Sequence, residues 1–362
     1  MNSICFFGVD SGSVLAGTGP VSGEDLQHVL LARAFRDLGL AVTLIDFGNP
    51  KAPADRVIDG IRVLRACDWS SGLPVVRFAH PRLTGAVRAL HEADADVYYQ
   101  SPAGLFTGVT AAFCRRRKRR FIFRVASDAN CVPGAQLIEL WRDRKIFEFG
   151  LRRADLVAVQ TVRQKSLLET NYRVDSEVVE MAVQLPERCE AERDIDVVWV
   201  GNLRPVKRPE LALSVAAQLP KRRFVMIGGP LPGTAAYYER IAAAAACVPN
   251  VRFLGALPHD EVNAYIARAK VLLNTSTVEG FPNTFLQAWA RAVPVVSLFD
   301  PDGIIARREL GASVCSPDEL RTALESFLED DDRRERVGRA AREYTAMRFS
   351  PTASAQRYLE LL

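Results

Sequence analysis

Histidine is scarce in this chain of 362 residues, and the four present (His28, His80, His91 and His259) are spaced too irregularly for a zinc signature. The seven cysteines (Cys5, Cys67, Cys114, Cys131, Cys189, Cys247 and Cys315) are an odd number and include no C-x-x-C pair. They read as reduced, packed thiols of a cytoplasmic protein, not as a disulfide framework or a metal site. Neither sign of charge dominates: 47 Lys and Arg against 43 Asp and Glu leave a net charge of +4. That balance argues against wholesale nucleic-acid binding. No apolar run approaches the roughly 18 residues that a membrane-spanning helix needs. The opening Met1–Gly8 has no basic n-region and too short an apolar stretch for a signal peptide, so the expected mature start is Met1. What remains is ordinary globular usage, 48% hydrophobic and 25% charged, which excludes a disordered or collagen-like chain. At roughly 150 residues per domain, two domains are expected.

Short apolar runs alternate with longer amphipathic ones. Strands are expected at Ser3–Val9, Ala41–Phe47, Ile61–Ala66, Val97–Gln100, Arg120–Ala126, Leu156–Gln160 and Glu177–Glu180. Helices are expected at Glu24–Leu38 and near 82–92, 103–117, 135–153 and 161–170. The pattern then restarts, with strands at Ile195–Val200, Phe224–Ile227, Val251–Leu254, Val271–Asn274 and Val295–Leu298. Helices near 208–218, 235–246, 259–269 and 283–291 lie between and after them. Alternation of this kind predicts an α/β chain with two Rossmann-like doubly wound domains. The expected bounds are 1–185 and 186–345, followed by a helix over 346–362, opened by Pro351, that packs back on the first domain. Ligands of open parallel sheets bind at strand C-terminal ends, which places the expected site in a cleft where the two domains face each other.

Two stretches carry residues suited to chemistry. In the first, a buried strand ends at Asn274, and a loop with Glu279, Gly280, Phe281 and Pro282 leads into a helix near Asn283. Free backbone N–H groups of that first turn, with Asn283 and Thr284 beside them, suit an anion such as a phosphate. Glu279 could accept hydrogen bonds from sugar hydroxyls, or be a solvated loop residue. In the second, Val197–Val200 leads to Gly201, Asn202 and three cations, Arg204, Lys207 and Arg208. They could balance charge on a diphosphate, or form a plain basic surface loop. Gly228-Gly229 after the next strand allows close backbone approach.

Taken in order, the 197–207 block, Ile227-Gly228-Gly229, Val251-Arg252-Phe253-Leu254-Gly255 and Glu279-Gly280-Phe281 through Pro294 resemble the nucleotide-sugar domain of family 4 retaining glycosyltransferases. That family, also called glycosyl transferases group 1, has the GT-B fold. The resemblance covers residues 195–300 well and the first half loosely. It implies a retaining transfer of a hexose-type sugar, without a metal or other cofactor, from a nucleoside-diphosphate sugar to a glycan or lipid-linked acceptor in polysaccharide biosynthesis. Lys207 falls on the family's diphosphate-binding lysine, and Glu279 on the first carboxylate of its E-x7-E motif. Gln287 stands where the second glutamate binds ribose hydroxyls, and a neutral amide makes weaker bonds there. The family's arginine after the glycine is Asn202 here, which makes Arg204 the substitute. Ser127 and Asp128, after the Arg120–Ala126 strand, are the candidates in the first domain. With Asn202 and Gln287 departing from the pattern, two further readings stay open: an epimerase or hydrolase of the same fold, and a non-catalytic nucleotide-sugar-binding partner of another transferase.

Other signals compete. The loop Gly17–Gly23 contains a G-x-G-x-x-x-G spacing, and Asp46 ends the second strand, as in a dinucleotide site. The glycines begin too far beyond the first strand for the tight turn that fingerprint needs. Asp300-Pro301-Asp302 looks like a metal-binding D-x-D, but its place after the Asn283 helix favours an Asp-Pro turn. Six consecutive cations, Arg115, Arg116, Arg117, Lys118, Arg119 and Arg120, are either a solvated face or a contact for anionic lipid headgroups. The second reading would place the protein at the inner face of a membrane.

Overall fold

The computed structural model describes residues 1–17, 22–47, 53–68, 78–187, 191–231 and 233–362; residues 18–21 of the glycine-rich loop and Cys189 lie outside them. The first series of strands is β1 (Ser3–Phe7), β2 (Ala41–Asp46), β3 (Asp55–Ile58), β4 (Ile61–Arg65), β5 (Val97–Gln100), β6 (Arg120–Arg124), β7 (Leu156–Val159) and β8 (Glu177–Val178). They form one sheet in the order β3-β4-β2-β1-β5-β6-β7-β8, parallel throughout except for the β3–β4 pair. The second series is β9 (Ile195–Val200), β10 (Phe224–Ile227), β11 (Val251–Phe253), β12 (Ala269–Asn274), β13 (Val295–Ser297) and β14 (Gly311–Ser313). Its order is β11-β10-β9-β12-β13-β14, and every pairing is parallel.

Both sheets are covered on both faces, which is why their strands read as nearly unbroken apolar runs. In β1, Cys5 and Phe7 belong to one core cluster and Ile4 and Phe6 to another, as period-two geometry requires. Thr161 and Ser316 cap the helices Val162–Tyr172 and Pro317–Glu329 by accepting from backbone N–H groups of Gln164 and Glu319. The six described cysteines are free, and burial pushes the Cys131 thiol up to about 12, so it packs as an apolar group.

The chain forms two compact units, Met1–Ala182 with Pro351–Leu362, and Val183–Ser350. The crossings lie at Val183 and Pro351 instead of at 186 and 346, and within the second unit Val183 N donates to Phe349 O at 2.9 Å. In the first unit, the helix Pro351–Leu361 buries Tyr358 against Phe35 and Tyr99. The Tyr358 hydroxyl accepts from Arg124 Nη1 at 2.8 Å, and the same nitrogen donates to Val179 O at 3.0 Å.

Some elements depart from expectation. The helix expected over 135–153 is confined to Trp141–Leu151, because the preceding segment is held in an irregular path by Arg144 Nε, which donates to Ile138 O at 2.6 Å. β3 is not among the expected strands, although Asp59-Gly60, both at positive φ, turns it onto β4. The short helix Ser11–Leu15 and β14 carry too few apolar positions to show a period.

Candidate functional site

Strand order reverses between β9 and β12, and the loops leaving the C-terminal ends of those two strands flank that switch point. Gly201 and Lys207 lie on the first loop, and Glu279 on the second. The backbone joins them closely. Thr277 N donates to Val206 O at 2.9 Å, and the Thr275 hydroxyl bonds to Lys207 O at 2.7 Å and Arg208 O at 3.0 Å. Trp199 Nε1, from β9, in turn donates to Thr275 Oγ1 at 3.0 Å. A hydroxyl has one proton to give, so the two carbonyls share it while the indole fills a lone pair.

On this frame Lys207 Nζ and a Glu279 carboxylate oxygen form a salt bridge, with side chains 18% and 11% exposed. A cation and a carboxylate so shielded interact more strongly than a surface pair, yet both stay within reach of a ligand. Arg204 opens the Pro205–Lys207 turn, and its Nε is shut off from solvent without an acceptor in the protein. A buried donor left unmatched is a place where a ligand oxygen would be favoured. Asn202 is exposed.

Glycine is required at 228: a Cβ there would lie 1.9 Å from Gly201 O, while Gly228 N donates to Gly255 O at 2.8 Å. At Gly229 an added Cβ would come within 2.8 Å of the Ala256 side chain. Gly228 thus lets the β10 loop pack backbone to backbone on the β9 loop, and Gly229 lets it approach Ala256 in the loop after β11.

The stretch after Glu279 is more structural than its sequence suggests. Gly280, Phe281 and Pro282 are buried, and Phe281 packs edge-on to Trp289 and against Phe349. The helix expected over 283–291 runs only from Asn283 to Trp289, and no side chain caps it. Asn283 and Thr284 are half-buried at its start. Gln287 is buried, and its Nε2 donates to Asn263 Oδ1 at 3.1 Å, while Asn263 meets His259 Nε2 at 2.9 Å. Burial pulls the His259 imidazole below its ordinary pKa, so it stays neutral beside the Arg291 guanidinium. Trp199, Thr275, His259 and Asn263 had no signal in the sequence, because each acts across a long separation in the chain.

Asp128 lies in the first unit, in the turn after β6. Its carboxylate accepts from Arg163 Nε at 3.0 Å and Gln164 Nε2 at 3.1 Å, and Ser127 caps the turn by accepting from Ala129 N. Of the six cations that close the β5 crossover helix Leu105–Arg117 and follow it, Arg119 bonds Asp94 and Asp96, and Arg117 meets His91; Arg115, Arg116, Lys118 and Arg120 are exposed. Among the described residues no cluster of three His, Cys, Asp or Glu is arranged to hold a metal ion. The Asp300 carboxylate instead caps the helix Ile304–Arg308, accepting from Ile305 N at 2.8 Å and Ala306 N at 3.1 Å. No described helix is long and apolar enough to cross a membrane.

Comparison with known proteins follows the same division. Residues 185–344 match the family model described as glycosyl transferases group 1. D-inositol 3-phosphate glycosyltransferase from Corynebacterium kroppenstedtii is 27% identical over 235 residues, 56% of this chain and 52% of that protein. Alpha-D-kanosaminyltransferase from Streptomyces kanamyceticus is 23% identical over 305 residues, 82% of this chain and 75% of that protein. The chain spans about half the length of the D-inositol 3-phosphate glycosyltransferases it matches. A solved structure of sucrose-phosphate synthase from Thermosynechococcus elongatus superimposes with a TM-score of 0.81 at 17% identity, covering 100% of this chain and 98% of that one. Residues 185–344 are thus similar to the glycosyl transferases group 1 family, and the fold of the chain is that of the GT-B glycosyltransferases.

Proposed function

We propose that the protein is a retaining glycosyltransferase that moves a hexose-type sugar from a nucleoside-diphosphate donor to a glycan or lipid-linked acceptor, without a metal. The Lys207–Glu279 pair, held across the β9–β12 switch point, is the observation that carries this reading. On donor binding the Lys207 ammonium exchanges part of its contact with Glu279 for the diphosphate. Arg204, with its unmatched Nε, adds a second cation. The bond from the anomeric carbon to the diphosphate breaks as the acceptor oxygen bonds to that carbon, and the acceptor proton passes to the departing phosphate oxygen. Charge on the leaving group grows along this path, so fixed cations stabilise the transition state more than the bound donor. Glu279 then holds donor sugar hydroxyls, and Gln287 serves the ribose side with a neutral amide. The Asn283–Trp289 helix spans only two turns, so its dipole is a minor partner and Lys207 and Arg204 carry the anion. The exposed cations of 115–120 bring the acceptor side to an anionic membrane.

The committed state of the Gln287 amide favours one rival, a nucleotide-sugar-binding partner without turnover. Calorimetric titration with UDP, GDP, ADP and TDP tests the binding half of the proposal. One of the four is expected to bind clearly more tightly than the rest, and heat from none of them contradicts the reading. Release of free or isomerised sugar from the matching donor, with no acceptor present, would turn it into an epimerase or hydrolase.

A further inference from the structure

Within residues 137–149 of the first unit four large apolar side chains stand in solvent: Leu137 (68% exposed), Leu140 (55%), Trp141 (75%) and Phe149 (38%). Other exposed large hydrophobics among the described residues, such as Met1, Val57, Val162 and Met347, stand apart along the chain. On the helix Trp141–Leu151, Trp141 and Phe149 share the outward face with Lys145, while Phe147, Gly150 and Leu151 are buried. The strip is rigidly presented. Arg144 ties the preceding loop at Ile138 O, and Gln136 Nε2 donates to the Tyr172 hydroxyl. The helix also sits against Leu105–Arg117 with no room for side chains: a Cβ on Gly108 would lie 2.4 Å from Ile146 O, and one on Gly150 would lie 2.6 Å from Thr107 O.

Fixed apolar groups gathered in this way mark an interaction surface. Around them lie five cations, Arg142, Arg144, Lys145, Arg152 and Arg153, and three acids, Glu139, Asp143 and Glu148. Arg142 pairs with Asp143 and Lys145 with Glu148, and Arg153 stacks on the Phe149 ring at 3.9 Å. The neighbouring helix Leu105–Arg117 ends in the 115–120 run. Trp, Leu and Phe at the tip with Lys and Arg beside them is the composition of a segment that lies in a membrane interface. A second copy of the chain would bring the same excess of positive charge, whereas anionic headgroups complement it.

We infer that the 137–149 strip is an interfacial anchor through which the first unit inserts apolar side chains into an anionic lipid surface. This rests on the membrane contact proposed above and adds the apolar insertion that cations alone do not supply. Co-sedimentation with phosphatidylcholine vesicles, with and without phosphatidylglycerol, tests it. Binding to the anionic vesicles is expected, and Leu137→Ser/Leu140→Ser/Trp141→Ser should weaken it by more than about tenfold while leaving nucleotide titration unchanged. Tryptophan fluorescence supplies a reading on the unaltered protein: of the four tryptophans Trp199 and Trp289 are buried and Trp69 lies outside the described residues, so the part of a blue shift on vesicle addition that disappears in Trp141→Phe reports Trp141 entering the bilayer. Undiminished binding by the triple variant, or no shift, overturns the anchor. Loss of binding only when all six residues of 115–120 become Gln also overturns it, leaving the electrostatic contact standing. Absence of nucleotide binding by the unaltered protein would sink the proposed transfer but not this inference.

Discussion

The Thr275 hydroxyl and Gly228 set the geometry of the site without touching its chemistry. Gly228 faces Gly201 O so closely that an added methyl has no space, and its neighbour in conflict is backbone that cannot swing away. Gly228→Ala is expected to cost about 1–3 kcal/mol of stability and to weaken binding of the preferred nucleotide, read by thermal melting and calorimetry. Melting and affinity both at the wild-type level would show that the β9 loop has slack. A second residue-scale effect lies in the first unit. His28 is 1% exposed, with Nδ1 3.0 Å from Ser11 Oγ, and that hydroxyl donates to Asp25 Oδ1 at 2.7 Å. The hydroxyl proton goes to the carboxylate, so Nδ1–H donates to Ser11, and Nε2 is left without a hydrogen-bond partner. Burial lowers the imidazole from 6.5 to about 4, against the opposing pull of Asp25. A base with a depressed folded value favours folding above its unfolded pKa. That contribution is complete above about 6.5 and is lost as pH falls toward 4, by roughly 3 kcal/mol in all. Denaturant titrations between pH 7 and pH 4 should show this decline, and His28→Leu should flatten it; an equal slope in the variant would assign the decline to other groups.

Among the elements, the terminal helix Pro351–Leu361 has the most specific attachment. Tyr358 is fully buried, and its hydroxyl meets the buried Arg124 guanidinium, whose charge is also near Tyr99 and Glu180. Tyr358→Ala removes both the aromatic packing and one partner of Arg124, and should cost about 3–5 kcal/mol. Tyr358→Phe, which keeps the ring, should cost about 1–2 kcal/mol. Equal losses from the two variants would mean that the hydroxyl, not the ring, carries the attachment. Elements of this length were readable where they had a period: β1, β2, β9 and β12 announce themselves as apolar runs between helical repeats. The β3–β4 hairpin has a turn signal in Asp59-Gly60, but the alternation of Asp55–Ile58 is too weak to mark its first strand. The 135–140 segment looked helical because its apolar spacing continues the helix, while the contact that bends it comes from Arg144.

At the scale of the molecule, the restart of the strand–helix pattern near Ile195 revealed a second sheet. Strand order followed from it only as a class, since pairing β9 with β12 requires contacts across tens of residues. Lys207 and Glu279 stand out in the sequence as candidates because each sits in an ordered set of motifs. Their contact with each other does not, nor do Trp199 and Thr275, which hold the two loops together from different strands. The central claim is that Lys207 stabilises departing diphosphate charge. Steady-state turnover of Lys207→Ala with the donor of the preferred nucleotide, compared with its melting, tests that claim most directly. Turnover is expected to fall on the order of a hundredfold, about 3 kcal/mol of barrier, for a smaller stability loss of about 1–2 kcal/mol, because the pair is shielded without being fully buried. A loss of stability as large as the loss in barrier, or turnover unchanged, would contradict the assignment.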